Sequence, residues 1–307
     1  MRLYRARQKD LILGLALLVG VGGCASGSSN GPKLEYGSAE FRSALRQRVP
    51  DLSRELSRAP FELNATVKLL AEKTVMAVPP GATRVRALVS FLSDPKPQGL
   101  GLEYDWAVSA NARTTLKLGR GDCVALATVL VGLGRGLGWP IFFAEARTGK
   151  PITHEFEEIT VLSDHMVVVV LARSVRMVVD FLGLVEEGYD IRLIDDLTAY
   201  AHLINNVSGY RLLTVKSDNP EDPEDPEQQW MVAQKGFELA TRIQPELGRA
   251  WNNLGIAYSR LGNFEDARSA YQRAVQLDTV FGSPERNLII METRASGETT
   301  LTEDSIP

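Results

Sequence analysis

The hydrophobic pattern of the chain changes along its length and divides it into two folded units. Between residues 34 and 133 apolar residues recur at helical spacing, as at positions i, i+3, i+4 and i+7 of the segment 85–92, which predicts amphipathic helices. Two β-branched runs follow, 165–171 and 175–181, and runs of this kind around a short turn predict a β-hairpin. Helical spacing returns after the acidic, proline-rich segment 218–227. The pattern therefore predicts an α+β unit followed by an all-α unit.

One strongly apolar helix is predicted at the centre of the first unit. The segment 119–145 is typical of a glycine turn, a helix and a short strand, and residues 124–133 are apolar nearly all round, which indicates a buried helix. Asp122 is of a type that caps helices. Cys123 therefore falls in the first turn, where unpaired N–H groups and the helix dipole stabilise an anion such as a thiolate. The charge of Asp122 opposes that thiolate.

A histidine and an aspartate at the ends of the predicted hairpin are candidate partners for the thiol. His165 begins the first strand and Asp180 falls near the end of the second. If Ala172 and Arg173 form a two-residue turn, His165 lies directly opposite Asp180, and such pairs share a face with Cβ atoms about 5 Å apart. A carboxylate in that position orients the imidazole of a catalytic triad. A three-residue turn would instead place the two side chains on opposite faces.

Other interpretations of these residues stay open. A lone cysteine in an apolar helix is often a core residue, which is the alternative for Cys123. His154 lies among the glutamates of the segment 155–158 and is the reserve base. The same glutamates with His154 and His165 are a possible metal site, but their spacing is poor for metal ligands. We therefore expect neither a metal nor a cofactor.

The segment G-R-G-D-C-V-A-L-A opening a helix, a strand after G-W-P, then His165 and Asp180 in that order, resembles the transglutaminase-like superfamily of papain-type thiol enzymes. The resemblance covers roughly residues 60–185. It implies a papain/transglutaminase-like core, in which the helix that bears the cysteine packs on an antiparallel sheet. It also implies that Cys123 is the nucleophile, His165 the base and Asp180 the group that orients the base.

The same resemblance implies an upstream polar or aromatic side chain near the oxyanion, for which Tyr104 and Trp106 are the candidates. The family often has an aromatic residue two positions after the histidine, where this chain has Val167. That difference bears on substrate binding more than on the chemistry.

The second unit contains a repeat with a period of 34 residues. Its pattern W-x2-L-G-x2-Y, with small and aromatic residues following, resembles the tetratricopeptide repeat, most strongly over residues 247–281. Fewer than three repeats rarely stand alone, so the unit is expected to pack on the first domain or on a protein or peptide partner. The signature residues are Trp251, Leu254, Gly255, Tyr258, Ala267, Tyr271 and Ala274.

The N-terminal residues are typical of a secretory signal. A basic segment, 2–9, precedes the apolar run 11–23, which is shorter than the roughly 20 residues of a membrane-spanning helix. Small residues directly before Cys24 resemble the lipobox of bacterial lipoproteins, which implies cleavage and lipidation at Cys24. Ala25 after the cysteine implies the outer membrane, with the protein on the periplasmic face. The alternative is an ordinary signal peptide with a chance cysteine.

Charge and cysteine content narrow the functional classes. The chain has 34 Lys and Arg against 38 Asp and Glu, a net charge of −4, which excludes an electrostatic nucleic-acid binder. The periplasm is oxidising, but a lipidated Cys24 leaves no disulfide partner for Cys123.

These observations predict a lipid-anchored periplasmic thiol enzyme that cleaves or transfers amide or peptide bonds through a cysteine thioester, with repeats that recruit a protein partner or substrate. Hydrolysis is favoured over transfer to an amine. The alternative is a catalytically idle transglutaminase-like lipoprotein that acts as a binding scaffold. The predicted divisions are a signal peptide 1–23, a tether 24–33, a thiol domain 34–215 with its core at 60–185, a linker 216–228, repeats 229–294 and a disordered tail 295–307.

Overall fold

The structure is a computed structural model, and within the part that it describes the chain is a mixture of helices and sheet. This confirms the α+β class and the all-α C-terminal unit. Cys24 and most of the predicted linker and tail lie outside the described residues. The described residues are 14–18, 33–147, 152–156, 159–163, 165–172, 175–185, 189–214, 226–277 and 283–296.

Five helices form the first helical layer. The last of them, α5, is buried along most of its length, because its apolar residues surround the helix axis. It begins at Cys123, and the Oδ1 atom of Asp122 accepts the backbone N–H of Ala125 at 2.8 Å, as the predicted cap requires. The helices are α1 (Ser38–Arg48), α2 (Ala65–Met76), α3 (Ala82–Ser93), α4 (Ala112–Leu118) and α5 (Cys123–Gly136).

An antiparallel sheet packs against α5 through its strands β4 and β7. Its strand order is β1-β8-β7-β4-β9. Two smaller sheets accompany it, a parallel pair of β2 with β3 and an antiparallel hairpin of β5 with β6. The strands are β1 (Gly14–Leu18), β2 (Glu103–Tyr104), β3 (Arg120–Gly121), β4 (Ile141–Arg147), β5 (Ile152–Phe156), β6 (Ile159–Ser163), β7 (His165–Ala172), β8 (Val175–Asp180) and β9 (Asp190–Leu193).

The hairpin of β7 and β8 has a register different from the predicted one. Ala172 pairs with Val175, so the two-residue connection is 173–174 and not 172–173. The last pair of the ladder is Val168 with Val179, and Asp180 therefore falls opposite position 167. The predicted direct pairing with His165 is wrong. The shift is an even number of residues, however, and an even shift keeps side chains on the same face of a sheet.

Strand β1 lies at the outer edge of the sheet, antiparallel to β8, with Gly14 beside Asp180 and Leu18 beside Arg176. These residues belong to the segment predicted to be a signal peptide, which stays a prediction. Among the described residues, no helix combines the length and the apolar character needed to cross a membrane.

A second helical layer begins with α6, a 19-residue helix that contacts both units. Leu197 and Leu203 of α6 are buried in the core around α5, while the same helix packs along α7. The predicted boundary needs correction, because residues 226–228 belong to α7 and residues 295–296 to α10. The helices are α6 (Asp196–Thr214), α7 (Pro226–Ile243), α8 (Gly248–Arg260), α9 (Phe264–Leu277) and α10 (Ser283–Ser296).

Small residues allow close approach within this layer. A Cβ atom on Gly255 of α8 would lie 2.7 Å from the Tyr271 ring of α9, and one on Gly236 of α7 would lie 1.9 Å from the Ser208 hydroxyl of α6. Both are shorter than a van der Waals contact, so only glycine fits. Helix α6 thus packs against α7 as closely as α8 packs against α9.

Candidate active site

Cys123 lies at the start of α5, next to the start of β7, and its side chain is buried with 5% exposure. Burial raises the pKa of the thiol to about 12, and the nearby Asp122 charge acts in the same direction. Hydrogen bonds from the backbone N–H groups of Met166 and Val124 act in the opposite direction but are outweighed. The thiol is therefore neutral at pH 7 in this conformation.

His165 and Asp180 form a buried pair at the same end of the sheet. The Nε2 atom of His165 is hydrogen-bonded to Oδ1 of Asp180, and each residue is 1% exposed. The Asp180 carboxylate also accepts the N–H groups of Leu182 at 2.8 Å, Leu184 at 2.6 Å and Val185 at 2.8 Å. Burial raises the pKa of Asp180, but the His165 bond and these amides outweigh it and leave the pKa below its usual value. Asp180 is thus an ionised group that orients the imidazole.

The second nitrogen of His165, Nδ1, is buried and has no hydrogen-bond partner among the residues that the structure describes. His165 lies opposite Ala146, on the sheet face that carries Val167 and not on the face against α5. Cys123 lies at the end of the sheet, where its sulfur is hydrogen-bonded to the backbone N–H of Met166, the residue after His165. The charge of Asp180 also acts on the thiol.

The structure thus brings His165 and Asp180 into contact and places Cys123 beside the start of the same strand. No hydrogen bond joins Nδ1 of His165 to the thiol in this conformation. The three residues are neighbours at one end of the sheet, where α5 and β7 begin and β8 ends.

Asp122 is fully buried, and both its carboxylate oxygens are hydrogen-bonded. Oδ1 caps α5, and Oδ2 accepts the side-chain N–H of Asn206 from α6 at 3.0 Å. Burial raises the pKa of Asp122 to about 6, although both bonds act to lower it. The carboxylate is therefore charged at neutral pH and opposes ionisation of Cys123.

Two tyrosines, Tyr104 and Tyr210, lie near the thiol, and Trp106 packs on Tyr210. Tyr104 is half-buried, and burial together with Cys123 and Tyr210 raises the pKa of its hydroxyl, so it stays a hydrogen-bond donor at any ordinary pH. Trp106 is 46% exposed, and its ring meets the ring of Tyr210 edge-on at 6.1 Å between centroids. Of the two candidates for the oxyanion, Tyr104 is therefore near the thiol, and Trp106 lies farther out at the surface.

Asn206 and Tyr210 were not predicted as site residues. Burial, Asp122 and Cys123 all raise the pKa of the Tyr210 hydroxyl, which places that ring beside the thiol. Both side chains come from α6, more than 80 residues after Cys123 in the chain, and no local motif marks them. Their i, i+4 spacing, which puts them on one helix face, is the only signal that the sequence contains.

A second buried histidine–carboxylate pair lies on the α5 face of the sheet. His202 of α6 bonds to Glu145 of β4 at 2.8 Å, and Arg192 of β9 bonds to the other carboxylate oxygen at 2.7 Å. Burial would raise the pKa of Glu145, but its interactions with His202 and Arg192 outweigh burial and lower the pKa to about 2. This pair attaches α6 to the sheet. The reserve base, His154, lies in β5, and its side chain is outside what the structure describes.

Within the described segments, no cluster of three or more His, Cys, Asp or Glu side chains has a geometry suited to a metal ion.

Residues 248–278 match the family model of the tetratricopeptide repeat. The match spans the whole of α8 and α9, and it confirms the predicted repeat in that region. Repeats of this family generally mediate protein–protein interactions, which agrees with a protein partner for this unit. Neither a curated protein nor a solved structure is significantly similar to the chain.

Proposed function

We propose that the chain is a thiol enzyme of the transglutaminase-like, papain-type class, with Cys123 as nucleophile, His165 as base and Asp180 as the orienting carboxylate. The observation that carries this proposal is the unpartnered Nδ1 atom of His165. A buried polar atom without a partner costs on the order of 1–3 kcal/mol, so its presence calls for a reason. A nitrogen that accepts the thiol proton during the reaction supplies one.

In the proposed reaction the site first opens and brings the two side chains together. Nδ1 of His165 then takes the proton of the Cys123 thiol, and the sulfur attacks the carbonyl carbon of an amide or peptide bond. The carbon–sulfur bond forms, the carbon–nitrogen bond breaks, and the amine leaves with the proton from His165. Asp180 stabilises the imidazolium between these steps. Water then hydrolyses the thioester; an amine would instead be acylated. We favour hydrolysis.

The Tyr104 hydroxyl supports this chemistry as a donor to the oxyanion. It lies near Cys123 and remains protonated because its pKa is raised. Donors directed at a developing oxyanion lower the barrier of acyl transfer. The N–H groups in the first turn of α5 are further donors that would act with it.

The resting site is closed, which favours a second candidate function. All three residues of the proposed triad are nearly inaccessible, and the thiol is held in its neutral form. In this alternative the thiol domain is a catalytically idle scaffold, and the repeats bind a protein partner. In the first proposal the same closure means that the enzyme is inactive until the site opens.

We further propose that lipidation at Cys24 attaches the protein to the periplasmic face of the outer membrane and that the repeats bring a protein substrate or partner to the thiol domain. The apolar run before Cys24 supports the first statement. The family match at 248–278 supports the second.

Alkylation of Cys123 by iodoacetamide tests the triad in a Cys24→Ser background, in which Cys123 is the only thiol. If His165 is the base, His165→Ala lowers the rate at pH 7 by about 100-fold, the lower range for a general base. His202→Ala is the matched control, because it removes the other buried histidine–carboxylate pair and leaves His165 intact. A loss of structure alone would expose Cys123 and raise the rate. Equal rates for wild type and His165→Ala would refute the triad.

A further inference from the structure

Helix α6 links the repeat unit to the thiol through two adjacent asparagines. Asn205 accepts the side-chain N–H of Asn253, from α8 of the repeat, at 3.0 Å. Asn206, the next residue, donates to Asp122, the cap of the helix that begins at Cys123. One turn of α6 therefore contacts the repeat on one side and the candidate active site on the other.

The same part of α6 also comes near the thiol. Tyr210 lies one turn after Asn206 on the same helix face, beside Cys123, and its ring meets that of Trp106. Trp106 comes from the thiol domain and Tyr210 from the helix shared with the repeats. The two rings thus form an aromatic pair near the thiol, with one ring supplied by the thiol domain and one by α6.

The two halves of α6 are held by contacts with different parts of the molecule. The first half is fixed to the thiol domain by Asp196, which binds Arg135 through two bonds of 2.8 Å, and by the buried bond of His202 to Glu145. The second half contains Gly209, where an added Cβ atom would meet no other atom within 4 Å. No close packing requires this glycine, and a glycine inside a helix lowers its stability. The second half packs instead on the repeat unit, where Ser208 lies against Gly236 of α7, so this half would follow a displacement of the repeat unit.

We propose that the repeat unit controls access to Cys123 through the second half of α6, and that a protein bound to the repeats opens the site by displacing Asn205 and, with it, Tyr210. This proposal rests on the proposed function of Cys123 as the nucleophile. It explains why the triad is closed in the free protein, and it assigns Asn206 as a positioning residue and Tyr210 as a residue that restricts substrate entry.

Two neighbouring asparagines of α8 provide a matched test. Asn253→Ala removes the bond to α6. Asn252→Ala removes a similar bond of 2.9 Å, whose partner is Asn287 of α10 and not a residue of α6. Alkylation of Cys123 is measured with iodoacetamide and with a bulky maleimide, together with the thermal unfolding midpoint. Asn253→Ala is expected to raise the maleimide rate about fivefold, the factor that corresponds to one neutral hydrogen bond. Asn252→Ala should leave it within about twofold, well inside the effect of one such bond.

Gly209→Ala acts in the opposite direction. Alanine stabilises the helix and disfavours its local opening by on the order of a factor of five. This variant is therefore expected to lower the maleimide rate by a similar factor. Equal rates for Asn253→Ala and Asn252→Ala, or a faster reaction in Gly209→Ala, would overturn the proposal. A failure of the triad would appear separately, in His165→Ala, which leaves α6 unchanged.

Discussion

The imidazole of His165 contacts the Asp180 carboxylate diagonally across the hairpin of β7 and β8, since Asp180 lies opposite position 167. Diagonal neighbours on one face are about 7–8 Å apart at their Cα atoms, within reach of long side chains. The carboxylate gains three backbone N–H donors from the residues that follow β8. The contact is therefore fixed by the strand end and the loop together.

Asp180→Asn is the first prediction. An asparagine keeps the shape of the side chain but cannot hold the imidazole in the same tautomer, so the amidase rate is expected to fall by about 10⁴-fold if the triad acts as in serine enzymes. The rate is measured with a library of amide and peptide substrates. Asp195→Asn, which changes the aspartate that accepts the N–H of Thr198 near the start of α6, is the control and should retain activity. Full activity of Asp180→Asn would contradict the assignment.

The second prediction concerns Asp122. Asp122→Asn keeps a side chain that caps α5 and removes the charge that opposes the thiolate. The alkylation rate of Cys123 at pH 8 is therefore expected to rise several-fold, which is about the effect of one charge interaction in a partly buried site. In the wild type the rate should change around pH 6, where Asp122 titrates. The change of rate around pH 6 should be absent from Asp122→Asn. If it persists in the variant, a group other than Asp122 causes it.

The third prediction is a pH dependence of stability from Glu145. The pKa of Glu145 is lowered from 4.5 to about 2 in the folded protein, so its ionised form stabilises the fold above pH 4.5. This contribution is lost as the pH falls toward 2, and it amounts to about 3 kcal/mol at most. Glu145→Gln should unfold at a lower denaturant concentration at pH 7 and show a smaller loss of stability between pH 4.5 and 2.

Glu40→Gln is the control for this prediction. It removes an ion pair with Lys33 that is exposed and therefore screened by solvent, so it should change the acid dependence much less than Glu145→Gln does. Equal acid dependence of wild type and Glu145→Gln, measured by denaturant unfolding at several pH values, would show that the buried pair with His202 does not stabilise the fold.

The fourth prediction concerns the repeat. A methyl group on Gly255 would overlap the ring of Tyr271, and overpacking of this kind destabilises by about 1–3 kcal/mol. Gly255→Ala should therefore lower the midpoint of thermal unfolding. Gly209→Ala, at a helical glycine with free space around it, should raise it. If both variants unfold at the wild-type temperature, the close packing of α8 on α9 is not important for stability.

Several elements could be predicted because their signal is local. The apolar run after Asp122 defines α5, the β-branched runs define β7 and β8, and the spacing of aromatic and small residues defines the repeat. The hairpin register could not be predicted, since the run from 166 to 171 is uniformly apolar and no residue type marks the turn.

The role of α6 could not be predicted for a different reason. Its contacts with Asp122 and Asn253 join residues far apart in the chain, and each contact is a single hydrogen bond between common polar side chains. The acidic segment also separates α6 from α7 in the sequence, so the sequence pattern does not show that these two helices pack on each other. Only the folded chain shows that the first domain and the repeats share a helix.

Strand β1 has a consequence for how the protein matures. Gly14–Leu18 cover the outer edge of β8, with Gly14 beside Asp180, and the same residues belong to the predicted signal peptide. A chain that keeps this segment and a chain cleaved before Cys24 would therefore have different sheets, one with β8 inside and one with β8 at the edge. An uncovered edge presents free backbone groups that another extended chain can pair with. If the predicted cleavage takes place, β8 thus becomes an edge strand, and the backbone beside Asp180 loses its neighbour in the sheet.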